Sequence, residues 1–93
     1  MRKAEQFWNR LAEETDLEDE VFPGETVVEI AGNHRVLIEN HRGVKLYERD
    51  KICVSAKCGV IRICGQCLRL TKMSREVLII RGKIQQVCFQ WEE

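Results

Sequence analysis

From Val60 to Leu70 the chain reads VIRICGQCLRL, with apolar residues alternating with arginines on either side of Cys64-Gly65-Gln66. A period of two sends alternate side chains to opposite faces of a strand. A glycine between two such runs lets the backbone turn or bend, because without Cβ it can take positive φ. The stretch therefore predicts two short, half-buried strands joined at Gly65. The unit recurs. Steps of 16, 17 and 17 residues link Val28, Val44, Ile61 and Leu78, and the same steps link Ile30, Leu46, Ile63 and Ile80. A third column holds Ile38, Val54, Leu70 and Val87, and a fourth holds Val36, Ile52 and Leu68 before failing at Gln85. The joins fall at Gly32, Glu48, Gly65 and Gly82. These columns predict a mainly β fold of about eight short strands, in four strand–turn–strand repeats of 16–17 residues from Thr26 to Trp91. A short β-solenoid or roll, with like positions stacked from unit to unit, is the preferred architecture. A meander or sandwich has the same period and is the runner-up.

Before this region the pattern changes to a helical one. In Met1–Thr15, Ala4, Phe7, Trp8, Leu11 and Ala12 share one face, with Arg2, Lys3, Glu5, Asn9, Arg10 and Glu13 around the other. An amphipathic helix is expected here, serving as a cap on an exposed end of the sheet. The mixture of acids and bases on its polar face argues against a membrane-surface role. The acidic run Asp16–Glu25, with Pro23-Gly24, reads as a linker and turn. The chain thus divides into residues 1–25, helix and linker, and 26–93, a repetitive β domain.

Ninety-three residues make one small domain, for which oligomerisation is a plausible further source of stability. Fifteen basic and fifteen acidic residues balance, which argues against nucleic acid as a partner. No apolar run is long enough to span a membrane, and a cytosolic protein with its cysteines reduced is expected.

Candidate chemistry is thin. Cys53, Cys58, Cys64, Cys67 and Cys88 have the count for a metal, with Cys58, Cys64 and Cys67 as the best set. Yet Gly65 follows the first thiol of Cys64-x-x-Cys67, where a zinc knuckle takes its glycine after the second. No helix follows Cys67 to lower a thiol pKa for redox work. Small apolar side chains in and beside a β core are the simpler role. His34 and His41 are seven apart, an odd offset that puts them on opposite faces if Asn33–Asn40 is one strand, and neither has a partner nucleophile at useful spacing. Gly82-Lys83 lacks the rest of a phosphate loop. The residues point to no catalysis, no cofactor and no small-molecule substrate.

The outer-face mixture of Arg35, Lys45, Arg62, Arg69 and Arg81 with Leu37, Cys53, Ile79 and Cys88 suits a protein contact. The heptad Ile38–Val44, IENHRGV, is the most polar connection of the β region. Its Glu39, Asn40, His41 and Arg42 form the candidate partner-binding knob, with Arg42 offering a planar charged fork to a carboxylate. A purely local role would pair Arg42 with Glu39 or Glu48. IENHRGV, followed at the chain's end by LIIRGKIQQVCF with Ile80, Gly82, Lys83, Ile84, Val87 and Phe89 in an I-x-G-K-I-x-x-V-x-F pattern, resembles the YabP/YqfC family of sporulation proteins, nearest the YqfC branch. The likeness covers about Leu17–Phe89, though the cysteines are not part of the family pattern. The resemblance implies a non-catalytic cytosolic protein of the mother cell during endospore formation. It also implies, as partner, a YqfD-type membrane protein to whose membrane the chain would be peripheral. Homo-oligomers are a further expectation.

Overall fold

The computed structural model describes residues 24–91. They form six strands: β1 Val27–Ala31, β2 Arg35–Glu39, β3 Val44–Tyr47, β4 Lys51–Ala56, β5 Gly59–Met73 and β6 Val77–Trp91. All belong to one open antiparallel sheet in the order β1-β2-β6-β5-β4-β3. The period of two in the sequence becomes alternation of burial. Ile52, Val54 and Ala56 of β4 face inward, while Lys51, Cys53 and Ser55 are only half-buried. The inward side chains of both ends of the sheet join one core: Val36, Ile38, Ile52, Val54, Ala56, Ile61, Ile63, Leu68, Leu78 and Ile80. Eight of these are fully buried, which a flat single sheet could not achieve.

The sheet must therefore fold over its own core. A straight strand of 15 residues would run about 50 Å, holding the start of β6 far from its end. Yet the Asn40 N–H donates to the Glu76 carbonyl (2.6 Å), and two residues later the Arg42 N–H donates to the Ser55 carbonyl (2.7 Å). Ser55 pairs with Val60, which pairs with Gln90, near the far end of β6. Both ends of β6 thus lie close to the same short loop, so β5 and β6 bend at mid-length. The bend is where the β5–β6 register shifts, at Cys64/Gly65 and between Gln66 and Arg69. Two hairpin turns clasp it. Gly65 and Leu68 donate to the carbonyls of Asp50 and Arg49 (3.1 and 2.8 Å), and Gly82 and Ile84 to those of His34 and Asn33 (3.3 and 2.7 Å).

The expectation of eight short strands is corrected to six. The first two units are hairpins, β1–β2 and β3–β4, whereas the third and fourth are single bent strands, β5 and β6. In β5 and β6 the joining glycines bend a continuous strand instead of ending it. Every pairing is antiparallel, so the parallel stacking of a β-solenoid is not the arrangement present. The columns nevertheless coincide with the core. Nine of its ten residues are column positions, Ala56 being the exception, while Ile30 is a column residue left 54% exposed at the β1 edge. The expected N-terminal helix and most of the acidic linker lie outside the described residues.

Candidate functional site

The β2–β3 connection carries the predicted knob, and the fold places it against the turn between β5 and β6. Glu39 closes β2, half-buried, between Val27 of β1 and Val77 of β6. Asn40 then takes a left-handed conformation (φ 61°), which asparagine tolerates better than most residues. Its Nδ2 donates to the Glu25 carbonyl (2.8 Å), and its own carbonyl accepts from Thr26 Oγ1 (3.2 Å). His41 sits between two turns. Its Nδ1 accepts the Gly43 N–H (3.0 Å), so Nε2 carries the proton and donates to the Ser74 carbonyl (2.8 Å). The two bonds thus fix the orientation and the tautomer of the ring. Ser74 is fixed in turn, since the Val77 N–H donates to its Oγ (3.1 Å) and its N–H donates to the Val77 carbonyl (2.7 Å).

Of the four predicted residues, then, three are engaged in building the loop. Arg42 is different. It is exposed, and its side chain takes part in none of these bonds. Among the described residues it pairs with neither Glu39 nor Glu48, so the local role does not account for it. A shallow depression opens beside it, lined by His41, Arg42, Gly43, Met73, Ser74 and Arg75. Arg75 is exposed and Met73 is 59% exposed. The site is therefore a depression lined by two arginines and an apolar, polarisable side chain, on a hydrogen-bonded platform. Such a surface can grip a carboxylate while covering a hydrophobic neighbour. Sequence reasoning did not find Met73 and Arg75. The 33-residue separation of His41 and Ser74 hides them, and only the register of β2 on β6 brings the turns together.

The thiols do not converge into a metal site. Cys58 lies at the β4–β5 turn against the core, whereas Cys64 is six residues further along β5, about 20 Å in a strand. Cys67 is exposed at the bend with φ 54°. Cys58, Cys64 and Cys67 are thus not brought together. Cys53 and Cys88 flank Arg62 in one row across β4, β5 and β6, on the face away from the core. Among the described residues no group of three or more His, Cys, Asp or Glu is placed to hold a metal ion. A second depression, lined by Tyr47, Glu48, Arg49, Cys67, Leu68 and Arg69, lies at the bend, where Tyr47 Oη accepts the Leu70 N–H (3.0 Å). No helix among the described residues is long and apolar enough to cross a membrane.

The family model that matches this chain is that of the YabP family, over residues 24–93. No curated protein and no solved structure matches it.

Proposed function

We propose that this chain, which belongs to the YabP family, is a non-catalytic protein of endospore formation that works by binding other proteins, itself among them. Its heterologous contact is made by the loop after β2. Arg42 supplies the charge at that contact, Arg75 and Met73 complete it, and Glu39, Asn40 and His41 hold the loop in place. The observation that carries this reading is the contrast within one loop. Asn40 and His41 are consumed by hydrogen bonds, while Arg42 projects unpaired among the described residues, beside a second arginine. A guanidinium on a fixed turn loses little freedom on binding, and arginine is enriched at protein interfaces. The partner this surface fits is a protein segment with a carboxylate beside an apolar side chain. Within the YqfC-like reading, that segment belongs to the cytoplasmic part of a YqfD-type membrane protein in the mother cell. The chain would then sit at the membrane through its partner, with no cofactor.

The test is a pull-down from sporulating cells using the wild-type chain and the Arg42→Ala/Arg75→Ala double variant, with spore counts from the same strains. The expected outcome is an unchanged melting temperature, loss of the captured membrane protein and failed sporulation. A double variant that sporulates normally and captures the same partner overturns the assignment.

A further inference from the structure

Among the described residues the sheet has four edge segments that no strand pairs with, and three of them are guarded. Strand β3 has four residues, a register shift between Val44 and Leu46, and Lys45. Strand β1 has five residues, with Glu29 at its centre. The far half of β5 carries Arg69 and Lys72 and is covered near the bend by the Arg49 carbonyl and Tyr47 Oη. The fourth is the far half of β6. Beyond the bend it pairs only with β5, because β2 pairs with β6 no further than Arg81. Past Ile84, whose N–H is taken by the Asn33 carbonyl of the β1–β2 turn, it reads QQVCFQW from Gln85 to Trp91, seven residues with no charge and no proline. On its other side no strand pairs with it among the described residues. A long, uncharged edge of this kind is what soluble proteins avoid unless another strand covers it.

We propose that this edge is the self-association surface of the protein, the Gln85–Trp91 segments of two copies pairing antiparallel about a twofold axis. The inference rests on the reading of this chain as a protein that acts by contact, but on a different surface from the Arg42 loop. A second copy is the occupant because the edge is compatible with itself. A twofold sets each residue of the edge against the same stretch of its copy, so any charge would meet its like. Gln85, Gln86 and Gln90 present no such charge and can hydrogen-bond across the joint. The faces also match. Val87 and Phe89 point to the core side, opposite Ile63 and Ile61, and Phe89 remains 48% exposed there. Gln86, Cys88 and Gln90 lie on the outer side. A twofold perpendicular to the sheet keeps inner residues beside inner residues, so each Phe89 gains cover from the copy.

The experiment is analytical ultracentrifugation of the full chain against two charge variants, Gln86→Lys/Gln90→Lys and Gln86→Glu/Gln90→Glu. Both positions are exposed on the outer side, so circular dichroism and melting should match wild type. The expected result is a wild-type dimer, a dissociation constant raised about tenfold or more in either variant, and recovery of dimer on mixing the two. A monomeric wild type, or a dimer that neither variant weakens, overturns the proposal. Either failure leaves the partner capture assigned to Arg42 and Arg75 untouched, because that experiment reads a different face.

Discussion

At the scale of single residues, the bend depends on what two glycines lack. A Cβ on Gly65 would run into the Lys83 carbonyl oxygen, and one on Gly82 would stand 2.7 Å from the Cys67 carbonyl oxygen and 2.9 Å from Leu68 Cα. These are backbone atoms of the paired strand, so neither contact can be relieved by moving a side chain. Gly82 has φ +147°, which adds backbone strain. Gly43 has φ +117° with nothing within 4 Å, so alanine there meets strain alone. Gly65→Ala is therefore expected to destabilise by about 3 kcal/mol or more, as overpacking against fixed atoms does, and Gly43→Ala by about 1 kcal/mol. Urea denaturation of the two variants checks the order. Equal losses would mean that β5 and β6 do not cross as closely as described. The sequence columns marked both positions as joins, since glycine recurs there. They could not say whether a join ends a strand or bends it, because that depends on the partner strand and not on the local pattern.

At the scale of elements, the loop joining β2 to β3 is a latch across the two ends of the folded sheet. Its polar character was legible in IENHRGV, as was a need for turn formers. The purpose of His41 was not, because both its partners are backbone groups, one of them 33 residues away. His41→Ala removes the acceptor for the Gly43 N–H and the donor for the Ser74 carbonyl. Two neutral hydrogen bonds lost at a half-buried position should cost about 1–2 kcal/mol. Arg42→Ala should leave stability within about 0.5 kcal/mol of wild type, since its side chain is exposed and unpaired among the described residues. Thermal melts of the two single variants separate the roles, and a larger loss for Arg42→Ala would reverse them. The thiols make a third comparison on the elements they occupy. Cys58, Cys64 and Cys67 sit on a turn, an outer face and the bend, so replacing all three by serine should cost packing at Cys58 and little else. Stoichiometric zinc in protein purified without chelator, or unfolding on adding one, would contradict that expectation.

For the whole molecule, one core is shared between the two ends of a folded sheet, and the sequence columns had already named nearly all of it. Column residues fall on the inner face because period-two alternation is a local property, set within each strand; Leu46 is the exception, set opposite the outer-face Cys53 by the register shift in β3. Which strands lie alongside is not local. The order β1-β2-β6-β5-β4-β3 places the two hairpins on opposite flanks of β5 and β6, and a spacing of 16 or 17 residues is equally compatible with stacked coils. Ile63 shows what the sharing implies. It is fully buried, lies on β5 two residues before Gly65, and pairs with Ile52 on one side and Val87 on the other. Ile63→Asp would place a carboxylate in a core where, among the described residues, no polar or charged residue is buried to receive it. An unpaired charge in such surroundings costs several kcal/mol, comparable with the about 5–15 kcal/mol that holds a typical domain together. The expected outcome is loss of the folded state, seen as collapse of the β signal in circular dichroism and no cooperative melt. Lys45→Asp is the control, an exposed position on edge strand β3, where the substitution should move stability by no more than about 0.5 kcal/mol. If the two variants melt alike, the inner face is not a core, and the folded sheet that brings the Arg42 loop across its two ends loses its basis.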